Sequence, residues 1–380
     1  MTPKPPDILL ILTTQLRAQA LAHAGDPNAV TPVLDALAAT SRRFTQAVTP
    51  HPFGPHARAA LLTGVPSPQN GVSGYFDPLP TSRRTIAHDL NERGWRTAFL
   101  GKWHLSRRDP AAPLVGETHA RQTVPENARG GFQFWRGFES GFLLNAPFLH
   151  GTGLPVPTRF PGYQPDVILR QAAACFLDNT GPGKPPFFLL ASLETPHPPY
   201  DAPAAGIRPV PPDNILLPPN VPLGGETEQR ARRELSGYHA HITATDRAIG
   251  RLLDAIAPRA ASTAIIFTSV HGDMHGSHGL FRKGWPHEES VRVPLLVKLP
   301  GQPAAADHRL ASLLDIPRWL LAIAGNRDPF PPGWNPAAQT LSMPCAVGLP
   351  FQCDRPWRAV RTASAKQVFN TDGSLWLQDV

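Results

Sequence analysis

Cysteine is scarce, with three residues, Cys175, Cys345 and Cys353, in a chain of 380. Thiols so few and so scattered build neither a disulfide framework nor a cysteine-based zinc site. Charge is sparse too, at 17% of residues. There is no Lys/Arg-rich block and no alternation of basic with aromatic residues, so the net charge of +7 does not mark a nucleic-acid partner. It favours anionic partners without naming one. No apolar run approaches the roughly 18 residues of a membrane span, so no membrane partner is expected. The opening Met-Thr-Pro-Lys-Pro-Pro-Asp runs directly into an apolar strand without the regions of a secretory signal, so a cytoplasmic location is expected. No internal repeat is visible. Proline is the one abundance, at 46 residues, and it concentrates in connecting segments, above all in a long surface loop over 201–225. A hydrophobic content of 41% over this length supports a large globular core.

Residues 7–13 form a short apolar run bounded by Pro and Thr, the pattern of a strand buried on both faces of a parallel sheet. Residues 95–100, 187–192 and 264–269 repeat it. Helical patterns lie between and after them at 33–41 with Thr31 as N-cap, 85–93 closed by Gly94, 227–256 with Thr227 as N-cap, and 311–324. Strands alternating with helices predict an α/β domain over residues 5–300, a doubly wound, mostly parallel central sheet with helices on both faces. The runs at 8–12 and 265–268 should be neighbours or near-neighbours in that sheet. Residues 301–380 are expected to form a small C-terminal subdomain, with a short antiparallel sheet in its alternating segment 358–377.

Each predicted strand ends beside polar residues: Thr13, Thr14 and Gln15; Lys102 and His104; Glu194, Thr195 and His197; His271 and Asp273. Ligands of open parallel sheets sit outside the carboxyl ends of the strands, so four such clusters imply one shared pocket. The stretch 50–64, Pro-His-Pro-Phe-Gly-Pro-His-Ala-Arg-Ala-Ala-Leu-Leu-Thr-Gly, adds a turn that becomes a helix from Arg58. Unpaired N–H groups at such a turn attract an anion, and the Arg58 fork can grip two of its oxygens.

The run from Arg58 to Gly64 resembles the signature of the sulfatase family, in the alkaline phosphatase superfamily, which writes Cys (or Ser)-x-Pro-x-Arg ahead of Ala-Ser-Leu-Leu-Thr-Gly. Residues 6–17, the Gly-Lys-Trp-His-Leu of 101–105, the Thr-Pro-His of 195–197, the segment 267–283 and the Arg-Val-Pro-Leu of 292–295 are similar to further family motifs, in the family's order. The resemblance implies that Arg58, Lys102 and Lys283 bind sulfate oxygens or orient the nucleophile, that His104 assists it, and that His197 protonates the leaving group. It places the nucleophile, a Cys or Ser oxidised to formylglycine, at Gly54, which has no side chain to oxidise. The family's proline falls on His56, with Pro55 one place early. The family's calcium ligands fall on Thr14, Gln15, Val270 and His271, of which only His271 is retained. A hydroxyl, an amide and an isopropyl group then stand where three carboxylates are needed for a hard cation.

The chain is thus identified as a degenerate sulfatase-family member, an inactive pseudo-sulfatase with an anion-binding pocket. No cofactor is expected and the calcium site is lost. The expected partner is a sulfate-like or phosphate-like anion, a sulfated sugar, or a protein. The alternative is a hydrolase of sulfate or phosphate esters with rewired chemistry: a transition metal on His271, Asp273, His275 and His278, or the metals of a phosphodiesterase of the same superfamily. With its acids lost, the pocket should be strongly cationic, its histidines neutral and its lysine pKa values depressed by like-charge crowding.

Overall fold

A computed structural model describes residues 4–379. The run Asp7–Thr13 forms β1, buried at every position. It pairs in parallel with two other apolar runs, Phe187–Ser192 (β7) on one side and Thr263–Ser269 (β8) on the other. In chain order the intervening strands are β2 (Arg42–Val48), β3 (Arg96–Lys102), β4 (Phe134–Phe138), β5 (Phe148–Gly151) and β6 (Leu154–Arg159). Beyond β8 come β9 (Leu295–Lys298) and β10 (Ala305–Ser312). The ten strands make one sheet in the order β10-β2-β9-β8-β1-β7-β3-β4-β5-β6. Its centre, from β8 to β4, is parallel, and antiparallel pairings enter at β9 and at the β4–β5–β6 edge. The predicted adjacency of 8–12 with 265–268 is direct.

Helices α1 (Pro32–Ala39), α2 (Gly54–Thr63), α3 (Ile86–Glu92), α4 (Glu117–Ala120), α5 (Gln164–Asn179), α6 (Glu226–Ile256), α7 (Glu288–Val291) and α8 (Ile316–Ala324) complete the fold. Alternation along β1 separates two cores. Ile8, Leu10 and Leu12 join Leu61, Leu90 and Trp319 of α2, α3 and α8. Leu9 and Ile11 join Phe176 of α5 and Ile249 of α6 on the other face. Helices therefore cover both faces of the sheet, as the pattern of apolar runs predicts. No helix among the described residues is long and apolar enough to cross a membrane.

The sequence placed residues 301–380 together in the subdomain, and the structure divides them. β10 pairs with β2 at the edge of the large sheet, and α8 packs under α2 and α3. The separate sheet is built from β11 (Gln339–Met343), β12 (Trp357–Arg361), β13 (Lys366–Phe369) and β14 (Leu375–Asp379), all antiparallel. Val380 lies outside the described residues. The helix predicted over 311–324 begins only at Ile316, because Ser312 and Asp315 form a reciprocal cap that ends the strand and starts the turn. Helix α2 starts at Gly54, four residues before Arg58, since Pro55 in the first turn needs no N–H partner. Gly225, not Thr227, caps α6, whereas Thr31 holds the N-cap position of α1 as expected, with its hydroxyl accepting from the Ala22 N–H rather than from the helix.

Gly101 shows how tightly β3 is set against β7. Its φ is +105°, and a Cβ there would lie 2.0 Å from the Ser192 carbonyl oxygen. Gly101→Ala must therefore strain the backbone and push apart two central strands. A loss of about 3 kcal/mol or more is expected in chemical denaturation.

Candidate functional site

The carboxyl ends of β1, β7, β3 and β8 lie side by side, which brings Gln15, His197, Lys102, His104 and His271 to one place. Helix α2 enters beneath them with Arg58, whose guanidinium donates to Thr14 Oγ1 at 2.7 Å, Ser192 Oγ at 2.5 Å and the Lys102 carbonyl at 3.2 Å. The loop after β8 returns with Lys283, whose Nζ donates to Gln15 Oε1 at 2.7 Å and lies 3.0 Å from His197 Nε2. Residues spread from 14 to 283 thus meet at one edge of the sheet, as the strand-end clusters predicted. Arg58, Lys102, His104 and His271 are closed in. His197 and Lys283 instead reach a cavity of about 570 Å³ walled by Phe53, Tyr75, Phe142 and Phe351. A larger cavity of about 750 Å³ opens near Lys4, Asp7 and Arg259, at the opposite end of the strands and remote from these groups.

At Gly54 the space that a side chain would use is taken. A Cβ there would lie 2.9 Å from His104 Nδ1 and 3.2 Å from its Cε1. Both ring nitrogens of His104 are buried without a hydrogen-bond partner.

The charge balance corrects one expectation. Lys102 forms a buried ion pair with Glu194, which Gln164 also holds. Arg108 faces Glu139 at 3.4 Å. Asp273 accepts from Tyr200 Oη at 2.6 Å and from the Gln15 amide. The pocket carries its own carboxylates and is not strongly cationic. Lysine pKa values are depressed, to about 8 at Lys102 and about 7 at Lys283, but burial is the main cause. Crowding by Arg58 at Lys102, and by Lys102 and then Arg282 at Lys283, adds less, and Glu194 and Asp273 pull the other way. His104, His197 and His271 are held well below the usual imidazole range, again by burial first and by neighbouring cations second. Glu139, stripped of water, rises to about 7. Glu194 was visible in the Glu-Thr-Pro-His turn, whereas Glu139 and Phe142 sit in a loop that carries no periodic signal.

The Lys102–Glu194 pair gives a direct test of this balance. Lys102→Ala would leave a carboxylate buried without a counter-charge, at a cost of about 3–5 kcal/mol in urea unfolding. Lys102→Met with Glu194→Leu should recover most of that loss, since replacing both partners by apolar groups is often neutral.

The positions where the resemblance puts calcium ligands do not fit a hard divalent ion. Thr14 Oγ1 donates to the Leu193 carbonyl at 2.8 Å while accepting from Arg58. Gln15 is engaged at both ends of its amide, by Lys283 and by Asp273. Val270 offers no donor atom, and only the buried Nε2 of His271 lacks a partner. Such an ion needs several oxygens, most of them charged. The alternative four-residue cluster does not gather either. His275 packs against Tyr238 with ring centroids 4.2 Å apart, and His278, turned outward at φ 56°, stacks on His287 at 4.4 Å. Among the described residues no three His, Cys, Asp or Glu side chains are grouped so as to hold a metal.

The sulfatase family profile matches residues 6–326. The chain is 34% identical over 396 residues to an ulvan-active sulfatase of Formosa agariphila, covering 98% of this chain and 74% of that protein. It is 28% identical over 335 residues to an arylsulfatase of Clostridium perfringens, covering 78% of this chain and 69% of the other. A solved structure from a Bacteroides thetaiotaomicron locus for glycosaminoglycan metabolism superposes with a TM-score of 0.84 at 23% identity, over 99% of this chain and 89% of that one. Another, in complex with its substrate D-glucosamine-2-N,6-O-disulfate, superposes at 0.78 and 20% identity, over 98% and 90%. The two structures share the fold, and the family match together with the 34% relative establishes that this chain belongs to the sulfatase family.

Proposed function

We propose that this chain binds a sulfate-like or phosphate-like anion, such as the sulfated end of a sugar, and does not hydrolyse it by the route of its family. One observation carries the reading: the nucleophile's position is Gly54, and the His104 ring fills the space beside it. The state of His197 supports it. Its Nδ1 lies 2.8 Å from the Pro198 carbonyl, which fixes the proton on that nitrogen, and its Nε2 accepts from Lys283. A neutral imidazole used in this way has no proton to give a leaving group. The open cavity meets Lys283, whose ammonium, present below its depressed pKa of about 7, attracts an anion, and the apolar Phe142 and Phe351. Relatives named for ulvan and for a disulfated glucosamine make a sulfated sugar the favoured ligand. The free thiols of Cys175, Cys345 and Cys353 agree with the cytoplasmic location we also propose.

Calorimetric titration tests the binding. Sulfate and phosphate should bind weakly, with Kd of about 1 mM. Lys283→Ala should abolish the signal and Lys283→Arg should keep it. Arg58→Ala should abolish it too, by removing the group that orders Thr14 and Ser192. A wild-type protein without affinity for either anion would sink the proposal.

A further inference from the structure

We infer that the cavity beside Lys283 has a second subsite at its rim, where the neighbouring sugar of an acidic oligosaccharide packs on Phe351 and its own carboxylate or sulfate meets Arg233. Both residues line the cavity, whose volume of about 570 Å³ suits a ligand well beyond a bare anion. The loop that carries Phe351 is fastened to the segment that carries Lys283. The Lys283 N–H donates to Gln352 Oε1 at 3.3 Å, and the Cys353 N–H donates to the Lys283 carbonyl at 3.2 Å. Trp285 Nε1 donates to the Phe281 carbonyl at 3.1 Å and reaches the Phe351 carbonyl at 3.4 Å. Phe351 has a φ of +64°, in the left-handed region that a bulky side chain occupies only where its surroundings hold it. One face of its ring is covered by Arg230, whose guanidinium carbon lies 3.7 Å from the centroid, yet the residue stays 55% exposed. An aromatic ring left open on a cavity wall offers a negative face on which the C–H groups of a sugar pack.

Arg233 supplies the charge. It follows Arg230 by three residues on α6, and residues three apart share a helix face, so it stands on the Phe351 side. The cations around it are spent, Arg230 and Arg282 on Glu234 and Arg232 on Glu228. Arg233 is exposed and has neither a hydrogen bond nor an ion pair among the described residues, Asp201 of the same wall included. A free guanidinium fork matches a carboxylate or a sulfate equally well. An isolated anion engages Lys283 or Arg233, whereas two linked acidic sugars engage both.

This deepens the proposed function and rests on it for the anion at Lys283, so the test reads the second sugar separately. Calorimetry follows inorganic sulfate, N-acetylgalactosamine sulfate and two disaccharides. One is the chondroitin sulfate disaccharide, whose second sugar bears a carboxylate, and the other carries an added sulfate on that second sugar. Wild type should bind at least one disaccharide about tenfold more tightly than the monosaccharide, the worth of one charge-assisted contact. Equal gains for the two assign the carboxylate to Arg233, and a gain for the second alone assigns the sulfate. Arg233→Ala and Phe351→Ala should each erase most of the preference, and Arg233→Lys should keep part of it. Because Arg233 is exposed, the preference should also shrink as salt is raised. Equal binding of the monosaccharide and both disaccharides by wild type overturns the inference, as does a preference that survives Arg233→Ala or Phe351→Ala. A wild type that ignores sulfate but keeps an Arg233-dependent preference counts against the proposed function alone.

Discussion

Pure wild-type protein is expected to release no aryl alcohol from an aryl sulfate, with or without added calcium, and co-expression with a formylglycine-generating enzyme should change nothing. Position 54 has no side chain to oxidise. Loss of a nucleophile alone costs on the order of a million-fold in a well-studied hydrolase. A donor set that does not fit a hard divalent ion, with Val270 and an engaged Gln15 in place of acids, would compound that loss by withholding metal activation and charge neutralisation. Gly54→Cys should not restore turnover. The new Cβ would press on His104 Nδ1 at 2.9 Å, so the ring must first move. An aldehyde hydrate without a metal would in any case stay poorly ionised. Only Gly54→Cys joined with Thr14→Asp, Gln15→Asp and Val270→Asp is expected to give measurable release, read as product absorbance against a Gly54→Ala control. Steady wild-type turnover of a sulfate or phosphate ester that disappears in Arg58→Ala would reverse the conclusion in favour of rewired catalysis.

Acid should unfold the protein near pH 5, before most carboxylates protonate. Burial lowers the pKa of His51 to about 3 and those of His56, His150, His241 and His275 to about 4. Their unfolded values lie near 6.5. Between pH 6.5 and 4 the unfolded chain therefore binds protons that the folded chain does not, and stability falls as pH drops through this window. Each such imidazole removes about 1.4 kcal/mol per pH unit, so the five together remove roughly 10 kcal/mol by pH 5. Glu139 and Asp246 act in the opposite sense. Burial raises them to about 7 and about 6, so they take up protons first in the folded state. That returns roughly 4 kcal/mol. The net loss is comparable to the whole stability of a typical domain, about 5–15 kcal/mol. Circular dichroism and tryptophan fluorescence from pH 8 to 4 should show a cooperative transition. Stability unchanged down to pH 4 would mean that these imidazoles are not held neutral by burial.

The sequence by itself determined the centre of the fold. β1, β7 and β8 are covered on both faces, so they are written as nearly continuous apolar runs. It also determined which candidate groups reach the site, because Arg58, Lys102, His104, His197 and Lys283 keep their places in motifs that have lost other members, at Gly54 and Val270. The edges were not legible. β2 (Arg-Arg-Phe-Thr-Gln-Ala-Val) and β10 mix charges with apolar residues, and their strand character comes from pairing with each other across more than 250 residues of chain. The chemistry of the pocket was equally hidden. That Glu194 answers Lys102 follows from the register of β3 against β7, which sets Gly101 opposite Ser192. That Lys283 reaches Gln15, and that His104 fills the gap at Gly54, depends on where two loops return to the sheet. Local composition reports which charges a chain owns. Only the tertiary structure decides which of them lose their water together, and in a buried site that loss sets both pairing and pKa.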